Sequence, residues 1–278
     1  MTYNLQLKKF DMKTIPDDSV VLLIGKRNTG KSFLAKNFMY YHKDIPVGCV
    51  ISGTESANKF YSKMIPHIFI HEEYNPIIIE NFVKRQKKIT KLKKKEELDL
   101  GVGKSNIDNR AFLIFDDLMD EAPRWTKDPN VRKIYISGRH IGILHICVLQ
   151  YCISIPTTMR FNSDFIFILR ENIIANRKRL YDNFAGVFPT FEMFCSVMDS
   201  CTENYECLVI NNLTKSNRIE DQVFWYKADS HEDFKMGPPE VWKYCEEKYN
   251  NESSDDDTTM DINKYQKKKG SKLQVKKV

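Results

Sequence analysis

The chain has no C-x-x-C pair, no run of about 18 apolar residues, and no apolar core of signal-peptide length near its start. Its seven cysteines (Cys49, Cys147, Cys152, Cys195, Cys201, Cys207 and Cys245) are odd in number and scattered, which argues against a disulfide framework and against a zinc ribbon. A reducing compartment fits that usage. Lacking both an apolar span and an apolar leader, the chain is expected to be soluble and intracellular.

What is present is enough apolar material for one large α/β core, 42% of 278 residues. The formal charge is +6, and the basic residues are clustered. Lys84, Arg85, Lys87, Lys88, Lys91, Lys93, Lys94 and Lys95 fill eight of twelve consecutive positions, in what reads as the second half of a helix beginning at "PIIIENF". Such a run suits a polyanionic partner, although a charged stripe is also what a solvated helix face looks like. From about residue 250 an acidic stretch, "NESSDDDTTMD", gives way to a basic one, and this segment is expected to be a disordered charged tail.

Chemistry enters at "GKRNTGKS", residues 25–32. Val20 to Ile24 before it form a β-branched apolar block that reads as a strand buried on both faces. The segment after it, with Phe33, Leu34, Asn37, Phe38 and Tyr41 at helical spacing, reads as a helix on a sheet. Between them Gly25, Lys26, Arg27, Asn28, Thr29, Gly30, Lys31 and Ser32 match the phosphate-loop pattern G-x-x-x-x-G-K-[ST] in full. A loop that wraps a phosphate turns back on itself with its N–H groups inward, which glycine permits, and the following helix N-terminus adds partial positive charge. Lys31 is the candidate for the β and γ phosphates, Ser32 for a magnesium ion, and Phe33 borders the site. The similar "GVGKS" at 101–105 lacks both the first glycine at that spacing and a preceding strand.

"AFLIFDD", 111–117, reads as a second buried strand ending in two carboxylates at the edge where open α/β sheets bind ligands. Asp116 suits the magnesium ion and Asp117 the water that attacks a γ-phosphate. A third strand, "LHICVLQY", ends in Gln150, whose amide could sense the γ-phosphate or merely finish a strand. Further strands are read at "VGCVISG" (47–53), "HIFIH" (67–71), "DFIFILR" (164–170), "YECLVINN" (205–212) and "QVFWYKA" (222–228), the last two as a hairpin. A helix is read over "TESANKFYSKMIP". Arg139 and Arg160 flank the glutamine strand, close to that same edge, and Arg170 follows a strand. They are candidates to act on a neighbouring copy's nucleotide, with a salt bridge or surface charge as the plain alternative for each.

Together, "GKRNTGKS", "FLIFDDLMD", "SGRHIGILHICVLQY" and "IPTTMRFNSDFIFILRE" resemble the poxvirus-type DNA-packaging ATPases of large DNA viruses, a branch of the FtsK–HerA class of P-loop translocases, over residues 18–230. "GRH", the Gln150 strand end, and Arg160, Asn162 and Asp164 narrow the resemblance beyond a generic nucleotide site. It implies an α/β fold, a P-loop NTPase with a RecA-like, mostly parallel sheet carrying an additional strand between the two motif strands and flanked by helices. It also implies ATP and Mg2+ as ligands, a homo-oligomeric ring around double-stranded DNA, capsid or portal-like partners, and action at the viral assembly site in the host cytoplasm or in the virion. Lys31 and Ser32 carry over as phosphate and magnesium ligands, Asp116 as the magnesium-associated carboxylate, Asp117 as the catalytic one and Gln150 as the sensor. Many members of the wider class have glutamate at the position of Asp117. The expected layout is one ATPase domain over 1–249 with a basic insertion near 84–110, then the tail. A nucleoside or nucleotide kinase and an ATP-gated DNA-binding assembly protein stand as alternatives.

Overall fold

The computed structural model describes residues 5–151 and 155–252. Cys152 and most of the expected tail lie outside them, while the backbone of residues 250–252 continues the last helix.

Nine strands form one sheet among the described residues: β1 (Lys8–Lys9), β2 (Val20–Ile24), β3 (Gly48–Ser52), β4 (Ile70–His71), β5 (Ala111–Asp116), β6 (Ile143–Leu149), β7 (Phe165–Ile168), β8 (Glu206–Asn211) and β9 (Val223–Lys227). Their order is β1-β9-β8-β7-β2-β6-β5-β3-β4, and all pairs are parallel except those of β8 with β7 and β9. β6 therefore stands between β2 and β5, which is the additional strand that the resemblance implies. The β8–β9 hairpin is present as read.

The helices are α1 (Lys31–Tyr41), α2 (Glu55–Asn58), α3 (Pro76–Leu100), α4 (Ala122–Trp125), α5 (Pro129–Ser137), α6 (Thr157–Phe161), α7 (Ile174–Phe184), α8 (Phe191–Cys201) and α9 (Pro239–Glu252). Two apolar clusters cover the two faces of the sheet. Val20, Leu22 and Ile24 of β2 join one and Val21 and Leu23 the other, as the two-residue period of a strand requires. This double burial explains the unbroken apolar runs of the central strands. The six cysteines among the described residues are free thiols, and no helix among those residues is long and apolar enough to cross a membrane.

Three expectations need correction. "TESANKFYSKMIP" is not one helix. Lys59 takes a left-handed conformation (φ 46°) that ends α2, and the buried Glu55 carboxylate accepts the N–H groups of Tyr61 (2.9 Å) and Ser62 (2.8 Å), folding the chain back. "HIFIH" contributes only two strand residues, because a 3-10 turn after Pro66 takes His67–Phe69. In α1 the buried set is Leu34, Ala35, Asn37, Phe38 and Met39, whereas Phe33 is 46% exposed.

Within the basic stretch, Lys84 to Leu100 continue α3, whose Asn75 side chain caps its first turn and whose Ile79, Phe82, Val83, Gln86 and Thr90 are buried. Gln86 Nε2 donates to the carbonyls of Asn109 (2.8 Å) and Ile141 (3.0 Å), which precede β5 and β6. The lysine-rich half of α3 therefore runs past the amino edge of the sheet. Lys84, Lys88, Lys91 and Lys95 are exposed and follow one another at the four- and three-residue steps of a single helix face.

Candidate active site

The parallel register places the last residues of β2, β3, β5, β6 and β7 level with one another: Ile24 pairs with Leu149 and Ile168, and Asp116 with Ser52 and Val148. Asp116 is one of these ends, and the phosphate loop, Asp117 and Gln150 directly follow others, at the carboxyl edge of the sheet.

The loop is fixed at both ends by backbone chemistry. Gly25 N–H donates to Leu149 O (3.0 Å), and a Cβ at Gly25 would lie 2.7 Å from Thr29 Oγ1 and 2.8 Å from Leu169 Cβ, so only glycine fits. Gly30 has φ 98° and Asn28 φ 61°, the left-handed turns that coil the loop. Thr29 Oγ1 and Lys31 Nζ both donate to Lys26 O, each at 2.7 Å. The backbone N–H groups of Lys26, Arg27, Asn28 and Gly30 have no acceptor among the described residues, and the first turn of α1 adds its own free donors. Arg27 is exposed at the rim. The arrangement is a cradle of donors and partial positive charge, built for an anion.

Across the cradle stands the acidic pair. Asp116 ends β5, and its Oδ2 accepts from the hydroxyl of the fully buried Tyr61 (2.8 Å). Burial, aided by the like charge of Asp117, pushes the Asp116 carboxyl up, against the hydrogen bond from Tyr61 and the nearby Lys31 ammonium. Burial likewise pulls the Lys31 ammonium down, against the attraction of Asp116 and Asp117. Asp117 has φ 56°, a left-handed conformation that aspartate tolerates, and its Oδ1 accepts a hydrogen bond from Gln150 Nε2. Ser32, exposed in the first turn of α1, uses its hydroxyl in no hydrogen bond among the described residues.

Hard oxygens from Ser32 and a partly buried carboxylate are a donor set that suits magnesium, which takes one or two carboxylates and completes its shell with water and phosphate. No cluster of three or more His, Cys, Asp or Glu that could hold a metal by protein ligands alone occurs among the described residues.

Sequence reading missed Glu171. This buried residue, two positions after Leu169, binds Lys26 Nζ (2.5 Å), the Ile173 N–H (2.8 Å) and Asn176 Nδ2 (3.1 Å). Burial alone would raise its carboxyl, but Lys26 and these donors hold it below the ordinary value. A carboxylate two positions beyond the apolar run that ends at Leu169 was the available signal.

Arg139 and Arg160 are not at this edge. Both precede a strand, β6 and β7 respectively, and so lie at the amino edge, opposite the loop. Arg160 donates to Ile155 O and Thr157 Oγ1 (both 2.8 Å), Asn162 to Thr158 O (2.7 Å), and Asp164 Oδ2 accepts the Val20 N–H (2.7 Å), pinning β7 to β2. Arg170 is at the carboxyl edge, exposed, with its Nε on Asn172 Oδ1 (3.1 Å).

No known family profile matches the chain. A protein of Acanthamoeba polyphaga mimivirus is 35% identical over 255 residues, covering 90% of this chain and 87% of its own. A protein of Invertebrate iridescent virus 3 is 39% identical over 226 residues, 79% of this chain and 80% of its own. The chain belongs to this family of large-DNA-virus proteins. The fold of the family member described here is shared with the genome packaging NTPase B204 from Sulfolobus turreted icosahedral virus 2, solved in complex with ATP-γS, at a TM-score of 0.51 and 14% identity over 78% of this chain and 100% of that one. It is a P-loop NTPase fold, with β6 standing between the two motif strands β2 and β5.

Proposed function

We propose that this family member is an ATP-hydrolysing motor that moves double-stranded viral DNA into the capsid during virion assembly, at the host assembly site. The observation that carries the reading is the convergence, at one sheet edge, of the Lys31 loop, Asp116, and an Asp117 carboxylate held by Gln150. The likeness in fold to a packaging NTPase supports it.

In this reading the loop N–H groups and Lys31 bind the β and γ phosphates. Ser32 and Asp116 would hold the magnesium ion, which when bound offsets phosphate charge. Asp117 orients a water and takes its proton as oxygen attacks the γ-phosphorus and the bond to the bridging oxygen breaks, releasing ADP and phosphate. Gln150, touching Asp117, couples that carboxylate to the end of β6 and so to the rest of the sheet. The exposed lysine stripe of α3 contacts DNA phosphates without reading sequence, at the edge of the sheet away from the nucleotide. In this reading Arg139 and Arg160, remote from their own loop, would act on a neighbour's nucleotide within a homo-oligomeric ring.

Product analysis tests the chemistry. Incubation with Mg-ATP should give ADP and inorganic phosphate. A phosphorylated nucleoside would mean a kinase, and tight ATP binding without turnover would mean an ATP-gated assembly protein.

A further inference from the structure

Beside the phosphate loop lies a cavity of about 360 Å³ that the motif chemistry does not use. Its rim is Gly30, the last glycine of the loop, and Phe33, whose ring projects from the first turn of α1 and is 46% exposed. Tyr205 faces them from the turn before β8. The residue is 70% exposed, and its ring Cδ1 lies 3.3 Å from where a Cβ on Gly30 would be. Leu34 and Cys207 form the floor, and Lys227 stands at the end of β9.

Two features of this cavity need an explanation that folding does not supply. Large aromatic rings this exposed gain little from the core. Moreover, Asn204 (φ 49°) and Tyr205 (φ 65°) are consecutive left-handed residues, a conformation that a bulky side chain adopts only under strain.

We propose that this cavity holds the base of the nucleotide and grips it by stacking against Tyr205 and Phe33, without reading its edges, so that the enzyme accepts ATP, GTP and CTP alike. The inference rests on the nucleotide-hydrolase reading above and deepens it. Continuity fixes the occupant: a nucleotide whose phosphates lie on residues 26–31 must place the rest of itself against the first turn of α1, and Gly30 lines both sites. The chemistry of the walls fixes the mode. The side chains around the cavity are carbon except for three groups. Cys207 Sγ is already engaged with Tyr226 O (3.4 Å), while the Tyr205 hydroxyl and the Lys227 ammonium are carried on exposed side chains. No fixed pair of donor and acceptor side chains faces the space, and hydrogen bonds to base edges are what separates adenine from guanine or cytosine. Every base has a π face, so stacking tolerates them all.

The test measures affinity for Mg-ATP, Mg-GTP, Mg-CTP and inorganic tripolyphosphate, which carries no base, in wild type and in Tyr205→Ala, Tyr205→Phe and Tyr205→Gly. Wild type should bind the three nucleotides within about tenfold of one another. Tyr205→Ala should weaken all three by about 10- to 100-fold, the loss expected for one stacked ring, and leave tripolyphosphate unchanged. Tyr205→Phe should keep wild-type affinity. Tyr205→Gly should lose affinity like the alanine variant while its melting temperature holds or rises, because glycine accepts φ 65°, which separates lost stacking from lost folding. A preference for ATP over GTP above about 100-fold, or full ATP affinity in Tyr205→Ala, would overturn the inference. Tripolyphosphate binding with no gain from a base would overturn it alone, whereas failure to bind any triphosphate, tripolyphosphate included, would overturn the hydrolase reading with it.

Discussion

Gln150, the first residue after β6, donates its side-chain N–H to Oδ1 of Asp117, the first residue after β5. Two neighbouring parallel strands thus end in one hydrogen bond, and the carboxylate at its centre is held in a left-handed backbone conformation. Strained backbone of this sort persists where its surroundings over-determine it.

Removing that hydrogen bond should slow chemistry more than binding. Gln150→Ala is expected to lower kcat by about 10²-fold with KM for ATP changed only a few-fold, as for loss of one positioning hydrogen bond in a preorganised site. Asp117→Asn should likewise bind ATP and fail to turn it over. Steady-state kinetics check both, and wild-type kcat in either variant would remove that residue from its role.

The pH profile should report Tyr61. Its hydroxyl favours the charged form of Asp116, whose carboxyl burial already raises. A raised group takes up its proton at a higher pH than an ordinary aspartate, so activity that needs the carboxylate is lost early on acidification. Tyr61→Phe removes the opposing hydrogen bond and should shift the acid limb of kcat/KM to still higher pH, at a stability cost of about 1–3 kcal/mol. An unmoved limb would show that Asp116 does not titrate in turnover.

Glu171 makes the opposite prediction for stability. Its folded carboxyl lies below the ordinary value of 4.5 because Lys26, Ile173 N–H and Asn176 outweigh burial. The unfolded chain therefore binds more protons in the window between the two values, and stability rises with pH there. The contribution is complete above the unfolded value and is lost as pH falls through the lowered one. Glu171→Gln should flatten this acid limb in melts followed by circular dichroism, and should cost about 1 kcal/mol at neutral pH, since Lys26 is partly exposed. An unchanged limb would mean that the pair does not hold the loop.

The lysine stripe of α3 should act on DNA alone. Lys88→Glu, Lys91→Glu and Lys95→Glu combined are expected to weaken duplex binding and to reduce the slope of log affinity against log salt by about 0.9 for each phosphate no longer neutralised. ATP affinity should not change, because the stripe runs past the amino edge and the loop is at the carboxyl edge. An unaltered salt slope would assign this face to solvent.

Much of this site was readable before any coordinates, because its information is local. Val20 to Ser32 carry strand, loop and helix start in consecutive residues, and "IFDD" and "VLQ" are strand ends that name their own edge. What escaped was contact at a distance. Tyr61 lies 55 positions from Asp116 in a segment whose spacing looked helical, and only the Glu55 carboxylate, by folding the chain back, turns its hydroxyl to the site. Tyr205 reaches Gly30 across the sheet from a turn with no motif. Arg139 and Arg160 were readable but misassigned to the wrong edge: each stands before a strand, and in a parallel sheet that position is the amino edge.

If the protein is a motor, nucleotide turnover drives its movement along DNA. The decisive measurement is ATP hydrolysis by the purified protein, with and without kilobase-length duplex and at low and moderate salt, with Lys31→Ala as the control for the loop. Duplex should stimulate turnover, the stimulation should fade as salt rises, and the variant should show no turnover. Turnover that ignores duplex at every salt concentration would contradict the motor reading.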